Sequence, residues 1–156
     1  MDSSFDSRSD SCEKRLLITG GTGFIGRFLI PKLLASGWQV VVLSRQSRNR
    51  VAALLGNEIL SIRTLPEWPF AEPPTACINL AGEGIMDKRW SAARKRVLRE
   101  SRIGLTHELA QWLKQWPQPL EVLISGSAVG YYGSHTRDSH SDEKSPAGDG
   151  LSLIHI

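Results

Sequence analysis

The residues Thr19-Gly20-Gly21-Thr22-Gly23-Phe24-Ile25-Gly26 follow the apolar run Leu16-Leu17-Ile18 without a gap. Glycines at this spacing suit one kind of chemistry, the cradling of a phosphate by backbone N–H groups. Gly20 permits a tight turn, Gly23 lets the backbone approach a pyrophosphate, and Gly26 lets the following helix pack closely on the strand. The N–H groups at the helix start then face the anion. Gly20, Thr22, Gly23, Phe24, Ile25 and Gly26 are therefore the expected contacts of a dinucleotide cofactor. A glycine triplet alone fits a plain strand-turn-helix as well. Here a second strand, Gln39 to Ser44, completes a βαβ unit and favours the cofactor.

The end of that second strand selects between cofactors. An acid roughly 20 residues past the glycines grips the ribose 2′-OH of NAD, whereas a basic residue suits the 2′-phosphate of NADP. This chain has Ser44-Arg45, and no Asp or Glu occurs between Gly26 and Glu58, while Arg27, Lys32, Arg45, Arg48 and Arg50 do. Ser44 and Arg45 are expected to hold a 2′-phosphate through charge-assisted hydrogen bonds, so NADP is favoured over NAD. The plainer alternative is a solvated basic loop.

These groups need a frame. The apolar pattern predicts a helix carrying Phe24, Ile25, Phe28, Leu29 and Leu33, with Pro31 kinking it. A short helix over Asn49 to Leu55 and a strand from Glu58 to Leu65 follow. Pro66 to Pro74 is a surface loop, because its four prolines remove donors and fix φ. Ala76 to Leu80 reads as a fourth strand and Ser91 to Trp116 as one long helix, with Leu98, Leu105, Leu109, Trp112 and Trp116 at helical spacing. Pro117 and Pro119 end it. Leu120 to Ser125 is a fifth strand that opens into a glycine-tyrosine loop, Gly126 to Gly133. Strands alternating with helices predict an α/β fold, a Rossmann-type doubly wound parallel sheet with ligands at the C-terminal ends of its strands.

Composition narrows the function classes. The 156 residues are 40% hydrophobic and 22% charged, ordinary values for a globular domain. No apolar run approaches the ~20 residues that a membrane span needs. Cys12 and Cys77 make neither a disulfide framework nor a zinc pattern, and His107, His135, His140 and His155 lack ligand spacing, so no metal is expected. A reducing cytoplasm is the expected location. The net charge of +3 is too small to imply nucleic acid without a focused patch. The cluster Lys88, Arg89, Arg94, Lys95, Arg96, Arg99 and Arg102 reads as a solvated flank of the long helix, because no aromatic platform is interleaved with it.

Taken together, T-G-G-T-G-F-I-G, Ser44-Arg45, Asn79-Leu80-Ala81-Gly82-Glu83, Arg89-Trp90, Ser101-Arg102-Ile103 with Thr106, and Ser127-Ala128-Val129-Gly130-Tyr131-Tyr132-Gly133 resemble the extended short-chain dehydrogenase/reductases. The "epimerase family protein" subgroup is the nearest in pattern, from about Arg15 to Gly150. The resemblance implies NADP(H) binding, with Leu80, Ala81 and Gly82 lining the cofactor and Arg102 reaching it from the long helix. It also implies a Ser or Thr after the fifth strand that hydrogen-bonds a substrate oxygen, and a Tyr, assisted by a Lys, that exchanges the proton. Ser127 is the candidate for the first role and Ser125 its rival. Tyr131 and Tyr132 have no Lys at four-residue spacing and read as loop packing and pocket wall. Val97 stands where this subgroup is expected to carry an acid, which leaves a charge network incomplete.

The resemblance further implies a chain about twice as long. The sheet is expected to be truncated after about five strands, with the Tyr and Lys encoded past Gly150. Residues 1–14 read as a disordered tail, 15–133 as the partial dinucleotide-binding domain and 134–150 as a polar loop. Leu151 to Ile156, L-S-L-I-H-I, fits nothing in the family pattern and is what a transposon-end sequencing adaptor encodes when read in frame. The expected function is an NADP(H)-binding part of an oxidoreductase or epimerase acting on a small, sugar-like substrate, the 156-residue piece itself being inactive. A non-catalytic NADP-binding sensor is the alternative, and a basic-helix nucleic-acid binder a remote third. The sequence gives no oligomeric state.

Overall fold

The computed structural model describes residues 14–84, 89–127, 129–133 and 140–148. The tail up to residue 13, Lys88, the segment 134–139 of the polar loop and the six-residue end 151–156 lie outside the described residues. Five strands, β1 (Arg15–Thr19), β2 (Gln39–Leu43), β3 (Leu60–Ile62), β4 (Ala76–Asn79) and β5 (Val122–Ser125), pair in parallel in the order β3-β2-β1-β4-β5. Three helices connect them, α1 (Phe24–Ala35), α2 (Arg48–Leu55) and α3 (Ala92–Leu113). The strand order reverses between β1 and β4, and that point is where an open parallel sheet leaves a crevice.

Strand alternation divides the core. Leu16, Ile18, Val40, Val42, Ala76 and Ile78 face one side, where Ile30 of α1 and Val51 of α2 cover them. Leu17, Val41 and Cys77 face the other, beneath Leu109 and Trp112 of α3. A period of two sends successive side chains to opposite faces, so a continuous apolar run is the signature of a strand covered on both. The expected doubly wound sheet is therefore the observed one.

Several expectations change in detail. α1 runs through Pro31 as a single helix to Ala35. Its apolar residues do not all face the core: Ile30 is buried and Leu29, Leu33 and Leu34 pack at its edge, but Phe24 is 82% exposed, and Ile25 and Phe28 are exposed too. β3 stops at Ile62 rather than Leu65, because the Glu67 carboxylate accepts from the Arg63 N–H and the Thr64 hydroxyl, and a 3-10 turn begins at Leu65. The proline-rich loop is not all surface. Trp68 and Pro74 are buried, the Trp68 indole N–H donates to the Glu72 carbonyl, and its ring meets Trp112 edge-on at 5.9 Å. α3 begins where expected, with the Ser91 hydroxyl capping the Arg94 N–H, but ends at Leu113, before the prolines. Val122, Leu123 and Ile124 of β5 are each about half exposed.

Candidate dinucleotide cleft

The site begins at Thr19, the last residue of β1, which is fully buried. Its hydroxyl donates to Asn79 Oδ1 at 2.6 Å and accepts from the Ala81 N–H at 3.1 Å. Asn79 Nδ2 in turn donates to the Thr106 hydroxyl at 3.0 Å and to the Ser125 hydroxyl at 3.4 Å. A buried polar group holds its place only with partners, and this chain of hydroxyls and amide ties the ends of β1, β4 and β5 to α3. The loops that leave those strands start from fixed positions.

Two glycines show how closely the loops approach. Gly20 has φ +68°, and a Cβ there would lie 2.6 Å from the Leu80 carbonyl carbon. The turn after β1 thus presses on the turn after β4, which only glycine permits. At Gly26 a Cβ would collide with the backbone of Gly21, so this glycine lets α1 pack on the turn itself rather than on the strand. Gly23 is the N-cap of α1; no side chain caps that end and no acid stands in the first turn. The backbone N–H groups of the first turn are left available for an anion.

Between these loops lies a cleft of about 480 Å³. Gly20, Thr22 and Gly23 form its floor, Ser44 and Arg45 one wall, Leu80, Ala81 and Gly82 the other. Eight of the residues expected from the sequence are brought together here. Phe24, Ile25, Gly26, Arg102 and Ser127 are not on its lining. Phe24 and Ile25 point their side chains to solvent, so only their backbone could serve. Ser127 lies two residues past β5 and is exposed, whereas its rival Ser125 already accepts from Asn79. Tyr131 and Tyr132 meet edge to face at 5.2 Å.

Arg102 sits behind the wall, half-buried. Its Nη2 donates to the Glu83 carbonyl at 3.1 Å, its Nη1 donates to the Leu98 carbonyl, and its guanidinium covers Gly82, where a Cβ would meet Cζ at 2.9 Å. Arg94, 8% exposed, donates to Glu83 Oε2 at 3.4 Å and to the Gly84 carbonyl. Two of the seven cations read as a solvated flank therefore turn inward. Glu83 is the acid at the centre of this network, and Val97 is exposed.

Glu83 also changes the surroundings of Arg45. The sequence places no acid near Arg45, yet the fold sets Glu83 Oε1 at 2.9 Å from Arg45 Nη2. Arg45 itself is 86% exposed. The hydrogen bond from Arg45, helped by that from Arg94, holds the Glu83 carboxyl below the usual carboxylate range against the opposing effect of partial burial. Burial lowers the Arg102 guanidinium from its usual value.

The cleft also includes residues not expected there from the sequence: Leu43, Gln46, Arg63, Thr64 and, from α3, Glu100, Ser101, Leu105 and Glu108. Arg63 and Thr64 were hidden by the expected length of β3, which placed them inside a strand. Leu105 was assigned to the core stripe, and helical spacing alone does not separate core from cleft wall.

Comparison with known proteins agrees with this fold. The profile described as the NAD dependent epimerase/dehydratase family matches residues 16–150. The epimerase family protein SDR39U1 of Bos taurus is 35% identical over 138 residues, covering 86% of this chain and 43% of its own length. The epimerase family protein YfhF of Bacillus subtilis is 32% identical over 132 residues, covering 82% of this chain and 42% of its own length. Among solved structures, human SDR39U1 (isoform2) with NADPH superposes with a TM-score of 0.71 at 32% identity, covering 90% of this chain and 45% of that one. A UDP-galactose 4-epimerase superposes with a TM-score of 0.68 at 19% identity, a likeness of fold. The chain spans about two-fifths of the length of the curated relatives it matches.

Proposed function

The chain belongs to the NAD dependent epimerase/dehydratase family, and we propose that its cleft binds NADP(H) in preference to NAD(H), as the cofactor-binding part of an oxidoreductase or epimerase. One observation carries the reading. The glycine turn, the open start of α1 and the Ser44-Arg45 pair line a single space. The human relative whose structure contains NADPH supports the choice of cofactor.

In this reading the first-turn N–H groups of α1 hold the pyrophosphate, Ser44 and Arg45 hold the 2′-phosphate, and Leu80, Ala81 and Gly82 lie along the adenosine side. Arg102 fixes the wall by binding the Glu83 carbonyl and covering Gly82. The nicotinamide supplies or accepts hydride when the cofactor is bound. Ser127 is proposed to hydrogen-bond the oxygen of a small, sugar-like substrate. The proposal extends to a cytoplasmic location, supported by Cys77 as a free, buried thiol. No helix among the described residues is long and apolar enough to cross a membrane.

Calorimetric titration with NADP(H) and NAD(H) tests the cofactor. The 156-residue chain is expected to bind NADP(H) more tightly, and Arg45→Ala to remove most of the difference, on the order of 1.5 to 3 kcal/mol for a hydrogen bond to a charged group. Equal affinities for the two cofactors would overturn the reading. Binding by a full-length relative without turnover of any carbonyl or sugar-nucleotide substrate would favour a sensor over an enzyme.

A further inference from the structure

Arg45, the cation that the sequence offers to a 2′-phosphate, already has an anionic partner. Glu83 holds it at 2.9 Å, and Glu83 is itself held: its N–H donates to the Ser101 hydroxyl, its carbonyl accepts from Arg102 and its second carboxylate oxygen accepts from Arg94. A ribose 2′-phosphate brings about 1.5 to 2 negative charges to this corner of the cleft. Arg45 and Arg94 share that one carboxylate, so the cluster of the three carries a single net positive charge, less than the phosphate brings, and a further cation is needed to meet the rest.

We propose that Arg63 is a second reader of the 2′-phosphate and a specificity-determining residue of the cleft. The inference rests on the NADP(H) reading above. Its placement follows from strand register: Leu43 pairs with Ile62 and the Ser44 N–H donates to the Ile62 carbonyl at 2.9 Å. Ser44 and Arg63 therefore leave adjacent parallel strands side by side, and both line the cleft. Among the described residues no carboxylate lies within ion-pair distance of the Arg63 guanidinium. Its backbone is fixed, because the Arg63 N–H donates to Glu67 Oε2 at 3.3 Å while the Thr64 hydroxyl donates to Oε1 at 2.9 Å. The Glu67 carboxylate anchors the strand end, and the guanidinium remains open to solvent and to an incoming anion. A planar fork of N–H donors in that position matches a phosphate.

The test compares Arg63→Gln and Arg63→Lys with the parent chain by calorimetry, using NADP+, NAD+, 2′,5′-ADP and 5′-AMP. Arg63→Gln is expected to weaken NADP+ and 2′,5′-ADP by about tenfold or more, as loss of a charged hydrogen bond does, and to leave NAD+ and 5′-AMP within about twofold. Arg63→Lys keeps the charge and is expected to recover much of the binding, a rescue that lost packing would not give. Equal weakening of all four ligands, or no weakening of NADP+, overturns the role of Arg63. If the parent chain shows no preference for NADP+, the cofactor reading itself has failed. If the parent prefers NADP+ and Arg63→Gln does too by the same margin, only the inference about Arg63 has failed.

Discussion

Replacing Thr19 by valine removes one hydroxyl while keeping the shape of the side chain, so the change isolates the polar junction under the cleft. The Thr19 side chain is fully buried; it donates to Asn79 Oδ1 and accepts from the Ala81 N–H. Asn79 is buried as well, and its Oδ1 would lose this donor at a cost of about 1–3 kcal/mol. The Ala81 N–H stands at the half-exposed cleft wall, where water can replace part of the lost bond, and adds on the order of 1 kcal/mol. The sum is about 2–4 kcal/mol, a large share of the ~5–15 kcal/mol that holds a typical domain together. Urea unfolding followed by the fluorescence of the buried Trp68 and Trp112 reads it, with Tm falling by about 2–4 °C for each kcal/mol. Thr19→Ser is the control. It keeps the hydroxyl, loses a methyl and is expected to cost only about 1 kcal/mol. If the valine variant is as stable as the serine variant, the hydroxyl does not hold the junction and the reasoning is wrong.

Gly20→Ala forces a residue with φ +68° and a Cβ 2.6 Å from the Leu80 carbonyl carbon; it is expected to weaken NADP+ at least tenfold by calorimetry, about 1.4 kcal/mol or more. Burial pushes the Cys77 thiol up to about 12, so its neutral form favours folding below the unfolded thiol value of about 8.5, and that stability drains as pH rises from there toward about 12. In a Cys12→Ser background the native chain should therefore resist a disulfide reagent at pH 8 and react at once in denaturant. Leu123→Lys on the half-exposed β5 should lower dye binding to apolar surface and reduce self-association in analytical ultracentrifugation; unchanged behaviour would mean that β5 is not the adhesive surface.

The sequence alone determined the features that depend on neighbours along the chain. Leu16-Leu17-Ile18 and Val40-Val41-Val42 read as strands covered on both faces, and the alternation of Ile18 and Leu17 between the two cores confirms it. The glycine turn was legible because a positive φ and a missing Cβ are local demands that few residues satisfy. Ser91 and the leucine spacing gave α3 its start and its buried side. Other features became visible only once strands were in register. Helical spacing did not reveal that Phe24 and Phe28 face outward, since which side of α1 meets the sheet depends on how it lands there. Proline count marked 66–74 as a loop, but only packing could turn Trp68 into the core against Trp112. Glu83 meets Arg45 across 38 positions of sequence, and no local pattern encodes that distance. Arg63 emerges beside Ser44 because β3 pairs with β2 at Leu43 and Ile62, a relation set by sheet assembly rather than by either strand. The individual groups of the cleft are written in short motifs, whereas their charge balance is a property of the folded sheet, where parallel order brings the ends of β2, β3 and β4 around one glycine turn.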